Sequence, residues 1–329
     1  MSDEEQANTD KYDPAPRWLA EMRASDVNGD RVDRPHGFYV NYRHFAAVHI
    51  DRGDDRLVVA FDNLSSVNDE SLDRETWGDK FYADNGWSSL GIISFEANWY
   101  RDEVLFDYLE QLRDSGFFAR FKDVVFTGTS MGGYAACAFS SLAPGATVIA
   151  YSPQSTLKKD LVPWEKRFNR GRQLDWSGRY ADSTECTAAA KKVYLCYDPY
   201  FEGDKEHAAR YAGDNIVHLH SNYVGHKTVV FLRRAGILKD VTGGCISGEM
   251  TPARFNELYR ARRKLPWYYF ALLDLAVERG HRKLSDMIIR KGSDISGNPN
   301  LTRVLRGRRQ GIWDRRKADK AASDKEEQA

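Results

Sequence analysis

Ser130 lies in Gly128-Thr129-Ser130-Met131-Gly132, between Asp123-Val124-Val125-Phe126-Thr127 and Gly133-Tyr134-Ala135-Ala136. A serine spaced between two glycines in this way suits nucleophilic chemistry. When a buried strand turns sharply into a helix, side chains two residues either side of the turn collide with backbone, so glycine is needed at 128 and 132. The hydroxyl then projects above the sheet at a helix N-terminus, where the Met131 backbone N–H is offered to a developing oxyanion. The competing reading of the same glycines is a turn that merely packs a helix close to a strand. A phosphate loop is disfavoured, because the stretch has neither the lysine of one such motif nor the third glycine of the other.

A serine nucleophile needs a base, and the base needs an orienting acid. Asp198 follows the run Lys192–Tyr197, and His226 follows Gly225 after the run Asn215–His220. Ligand sites of open α/β sheets lie at the carboxyl ends of strands, where Ser130, Asp198 and His226 all fall. Asp198 is the preferred acid, and Asp204, a few residues on, is its competitor. His218 and His220 share one strand face. Strand packing explains them better than a metal, which no H-E-x-x-H or carboxylate cluster supports.

The elements that must position these groups are short apolar runs alternating with helical patterns. Strands are expected at Phe45–Asp51, Leu57–Phe61, Leu90–Phe95, Asp123–Thr127, Thr147–Tyr151, Lys192–Tyr197 and Asn215–His220. Runs such as Leu57-Val58-Val59-Ala60-Phe61 suit strands buried on both faces, as in a parallel sheet. Val104, Leu105, Tyr108, Leu109 and Leu112 recur at helical spacing over Asp102–Asp114, with Gly116 as a stop. The alternation predicts an α/β fold with a mostly parallel sheet and helices on both faces. From Thr251 the pattern becomes all-helical, over Thr251–Lys264, Trp267–Arg279 and His281–Lys291, which predicts a C-terminal helical extension.

With its glycine elbow, Asp198 after a strand, Gly225-His226 before a final helix, and the order Ser…Asp…His, the chain resembles the α/β-hydrolase superfamily over roughly Phe45 to Gly236. The resemblance implies Ser130 as nucleophile, His226 as general base and Asp198 as the orienting acid. It also implies a second oxyanion donor after an early strand. The segment here is Phe61-Asp62-Asn63-Leu64-Ser65, without the H-G pair often found there, so the donor is the backbone N–H of Asn63 or Leu64. Residues 154–190 correspond to a cap-like insertion, and Trp99, Tyr100 and Gln154 fall at the expected pocket edge.

Composition bounds the rest. Lys+Arg and Asp+Glu both count 48 in 329 residues, so a chain-wide basic field for nucleic acid is absent. No apolar run approaches the length of a membrane span. The four cysteines, Cys137, Cys186, Cys196 and Cys245, form no C-x-x-C pair and suggest neither a disulfide framework nor a zinc site, which favours a reducing cytoplasmic setting. Residues 1–15 read as a flexible tail, residues 16–250 as the hydrolase-like domain, 251–292 as the helical extension, and 293–329 as a charged flexible tail. The expected function is a serine hydrolase acting on an ester, thioester or amide of a small or acylated substrate. An acyltransferase differs only in the acceptor. No cofactor or metal is expected. The alternative is a non-catalytic interaction protein on the same scaffold, and the C-terminal helices are the candidate surface for a protein partner.

Overall fold

A computed structural model describes residues 37–68 and 74–326. The expected tail at 1–15 lies outside these residues.

Eight strands form one sheet in the order β1-β2-β4-β3-β5-β6-β7-β8. They are β1 (Gly37–Asn41), β2 (Phe45–Ile50), β3 (Arg56–Phe61), β4 (Ser88–Ser94), β5 (Asp123–Thr129), β6 (Thr147–Tyr151), β7 (Lys192–Tyr197) and β8 (Ile216–His220). β2 runs antiparallel to both β1 and β4, and every pairing from β4 to β8 is parallel. The helices are α1 (Asp79–Asp84), α2 (Glu103–Asp114), α3 (Met131–Ala138), α4 (Ser183–Cys186), α5 (Glu202–Ala209), α6 (Thr228–Arg234), α7 (Leu238–Ile246), α8 (Pro252–Leu258), α9 (Pro266–Glu278), α10 (Arg282–Ser296) and α11 (Leu301–Glu326).

The apolar run in β3 shows why the sheet is buried on both sides. Leu57, Val59 and Phe61 join one core cluster, Val58 and Ala60 the other, and all five are buried. Successive side chains on a strand point to opposite faces, so a continuous apolar run demands a cover on each. β1 leaves little pattern in the sequence, because Gly-Phe-Tyr-Val-Asn is short, half-buried and at the sheet edge. The helix expected over Thr251–Lys264 is α-helical only to Leu258, and Tyr259–Lys264 tighten into a 3-10 turn. Thr251 caps its start, accepting from the Arg254 N–H at 3.1 Å.

The flexible tail expected at 293–329 is corrected by α11. Leu301 and Leu305 are buried against Leu273, Ala276, Val277, Ile288 and Ile289 of α9 and α10. Arg308 pairs with Asp274, and Arg316 donates to the Val277 carbonyl at 2.9 Å. The apolar residues are sparse, but they recur on one face of a long helix, which averaging over composition conceals. The extension docks on the sheet domain through the Tyr259 hydroxyl, which donates to the Asn222 carbonyl at 2.7 Å, and through Trp267 against Phe231. Among the described residues no helix is long and apolar enough to cross a membrane.

Candidate active site

β5 delivers Ser130 to the start of α3 with φ 55° and ψ −117°. A non-glycine residue held in such a conformation stores on the order of 1–3 kcal/mol of strain, which the surrounding packing must offset. That packing is backbone against backbone. A Cβ on Gly128 would stand 2.4 Å from the carbonyl group of Gly132, and one on Gly132 would stand 2.5 Å from the carbonyl oxygens of Phe61 and Asp62. The Ser130 N–H is itself bound by the Tyr151 carbonyl at 2.9 Å, which ties the turn to the end of β6.

His226 arrives on the loop after β8. Its Nε2 lies 2.8 Å from Ser130 Oγ, and its Nδ1 lies 2.8 and 2.9 Å from the two carboxylate oxygens of Asp204. The carboxylate is buried, which opposes its charge. Hydrogen bonds and charge from His226 and Arg167 outweigh that cost and hold it below the usual carboxylate range. An ionised carboxylate only accepts, so Nδ1 carries the proton and Nε2 is free to accept the one on Ser130 Oγ.

The acid at the imidazole is therefore Asp204, and the expectation of Asp198 is corrected. Asp198 Oδ2 accepts from the Val224 and Gly225 N–H groups at 2.7 and 2.8 Å, and Oδ1 accepts from the Tyr200 N–H at 2.9 Å. Asp198 stitches the loop after β7 to the loop that carries His226. Asp204 sits in the first turn of α5, whose direction aims its side chain at the imidazole.

Met131 is the first residue of α3, where an α-helix leaves its N–H groups without partners of its own. The close approach of Gly132 to the Phe61 and Asp62 carbonyl oxygens brings the end of β3 against the elbow, and Asn63 and Leu64 are the next residues in the chain. Asn63 Oδ1 accepts from the Ser65 N–H at 2.8 Å and shapes that turn. Buried Asp62 pairs with Arg74 and accepts from the Ser94 N–H at 3.3 Å. Tyr100 is a clamp on this segment rather than a pocket wall: it is buried, and its hydroxyl donates to the Asp62 carbonyl at 2.9 Å. Gln154 meets Ser130, and Trp99 reaches the serine only through Gln154. Trp99 Nε1 donates to Gln154 Oε1 at 3.0 Å, which turns the amide so that Nε2 donates to Ser130 Oγ at 3.3 Å. Trp99, Tyr100 and Ser152 all have positive φ, so backbone strain gathers around the serine.

Arg167, Glu165 and His207 had no signal in the sequence. Arg167 Nη1 donates to Asp204 Oδ1 at 2.8 Å, and Glu165 takes the other side of the guanidinium and His207 Nε2 at 3.1 Å. These residues lie on an irregular stretch and a separate helix, and only the fold brings them together. His218 and His220 lie 3.2 and 3.3 Å from the Tyr197 hydroxyl. Among the described residues no group of three or more His, Cys, Asp or Glu is placed to hold a metal.

A mostly parallel sheet whose fifth strand presents a strained serine at a helix start, with acid and histidine following in chain order, decides the architecture. The fold is α/β-hydrolase-like. No family model and no curated protein matches the chain. Among solved structures, the capsule O-acetyltransferase of Neisseria meningitidis serogroup A is similar at 11% identity, over 67% of this chain and 97% of that one, with a TM-score of 0.44. A bacterial heroin esterase is similar at 13% identity, over 76% and 93%, with a TM-score of 0.43. The fluorophosphonate-binding serine hydrolase F of Staphylococcus aureus is similar at 14% identity, over 64% and 98%, with a TM-score of 0.41.

Proposed function

We propose that this protein is a serine hydrolase or acyl-transferring enzyme that works through an acyl-Ser130 intermediate. The observation that carries the reading is the unbroken chain from Ser130 Oγ through His226 to Asp204, with 2.8 Å at each link. In this reading Oγ attacks the carbonyl carbon of an ester, thioester or amide while its proton passes to His226 Nε2. Charge builds on the carbonyl oxygen, where the Met131 N–H and an N–H of Asn63 or Leu64 receive it. The Asp204 carboxylate keeps the proton on Nδ1 and stabilises the imidazolium. Collapse of the tetrahedral adduct breaks the bond to the leaving group, which takes the proton from Nε2. Water, or another hydroxyl or amine, then attacks acyl-Ser130 by the same route in reverse.

The test is labelling of the full chain with a fluorophosphonate probe. The parent is expected to label at Ser130 and the Ser130→Ala variant is not. Equal labelling of the two, or turnover of an accepted ester by the variant, would refute the assignment.

A further inference from the structure

The 154–190 segment contributes more than a cover. Its Arg167 donates through Nη1 to Asp204 Oδ1 at 2.8 Å, the oxygen that also lies 2.8 Å from His226 Nδ1. The guanidinium is fixed on its other side by Glu165, at 2.9 Å from Oε2 and 3.1 Å from Oε1. Glu165 is anchored in turn by His207, whose Nδ1 accepts from the Ser155 N–H at 3.1 Å, so Nε2 carries the proton that Glu165 receives. The Arg167 plane also lies over the rings of Phe168 and Phe201, with centroids at 5.0 and 5.1 Å, and both rings pack near His226. A cation in contact with four groups, two of them buried carboxylates, is held in one place.

We propose that Arg167 is a positioning residue of the Ser130 site, a cation supplied by the 154–190 segment that fixes the Asp204 carboxylate and makes the ordering of that segment a condition for a working charge chain. The inference rests on the reading of Ser130, His226 and Asp204 given above. The physical need is plain. Asp204 and Glu165 are both buried carboxylates, and each is costly to keep ionised without a shared cation. The charged and titratable groups around the imidazole are Asp204 from α5, Arg167 and, behind it, Glu165 from the segment, His207 from α5, Asp198 beneath the 224–225 turn, and Lys227 beside it in the chain. Arg167 is the cation bonded to the carboxylate itself. Its positive charge reaches the imidazole through the one carboxylate oxygen they share.

The test follows the His226 imidazole signal by NMR against pH in the full chain, a measurement that needs no substrate. Both bonds end on one oxygen, so guanidinium and imidazole lie within about 6 Å, and loss of the charge in Arg167→Met is expected to raise the protonation midpoint on the order of one pH unit. Arg167→Lys is expected to bring it back most of the way. Glu165→Gln removes a negative charge instead and is expected to lower the midpoint, a reversal of sign that a purely structural role does not produce. The acid limb of fluorophosphonate labelling should move with the midpoint in each variant. If the midpoint is unmoved in both Arg167→Met and Glu165→Gln while only melting temperature falls, Arg167 is a packing residue and the inference fails. If Arg167→Met does not fold, Glu165→Gln decides alone. Absence of labelling at Ser130 in the parent would overturn the enzyme reading, whereas the NMR shift reports on the charge contact independently.

Discussion

Asp204→Asn and Asp198→Asn separate the acid that serves the imidazole from the acid that serves the backbone. In Asp204→Asn, Arg167 donates to the amide oxygen at the Oδ1 position, so the amide NH2 takes the Oδ2 place, 2.9 Å from His226 Nδ1. Nδ1 then faces an N–H donor at 2.9 Å beside the amide oxygen at 2.8 Å, so the tautomer with its proton on Nε2 competes with the productive one, and the negative charge that would stabilise the imidazolium is lost. The wrong tautomer in a triad of this kind costs about 10,000-fold in rate, or about 5 kcal/mol of barrier. In Asp198→Asn the loss is different. Three backbone N–H groups, of Tyr200, Val224 and Gly225, depend on that carboxylate, and an amide cannot accept from all of them. Each buried donor left unpaired costs roughly 1–3 kcal/mol of stability. The rate should fall only about tenfold, the loss expected from a loosened His226 loop at roughly 1.4 kcal/mol per decade. The assay is the second-order rate of fluorophosphonate labelling, run beside thermal melting of the same samples. The reasoning is refuted if Asp198→Asn abolishes labelling with its melting temperature intact while Asp204→Asn labels at the parent rate.

Three further outcomes are expected. Gly132→Ala places a Cβ 2.5 Å from two backbone oxygens of the 61–62 segment, and it should cost about 1–3 kcal/mol in urea unfolding and remove labelling with it. Leu305→Ala should destabilise the α9–α11 unit by about 2–5 kcal/mol in the same measurement, because Leu305 is fully buried there, while labelling at Ser130 persists. Acid should act through the lowered carboxyls: Asp204 lies below its ordinary value and Glu165, despite burial, is brought down to about 2 by His207 and Arg167. Groups depressed on folding stabilise above their unfolded values and lose that contribution as pH falls through the folded ones, so stability should hold down to about pH 4.5 and then decline toward pH 2. In Glu165→Gln that part of the decline should be missing from a melting-temperature profile.

The elbow and the sheet were legible in the sequence because each is a local matter. Gly128 and Gly132 state a turn in which no Cβ fits, and the run Leu57–Phe61 states a strand covered on both faces. The residues of β6 and β7 could be marked off to the residue by the same rule. That Ser130 and His226 could meet was legible because each follows a strand of the parallel part of the sheet, so both fall at the same end of it. The acid was not. Asp198 and Asp204 share one short stretch, and the choice turns on the direction in which the first turn of α5 aims a side chain. The roles of Tyr100, Asp198 and Arg167 likewise depend on contacts over 38, 26 and 37 residues of chain. The C-terminal helix was hidden for a related reason: its composition is that of a solvated tail, and only packing against α9 and α10 gives Leu301 and Leu305 a surface to bury. Sequence alone determines where the backbone must turn and which runs must be covered. Which charge meets which is decided by the tertiary structure, because charge contacts act through space and leave no period or spacing in the chain.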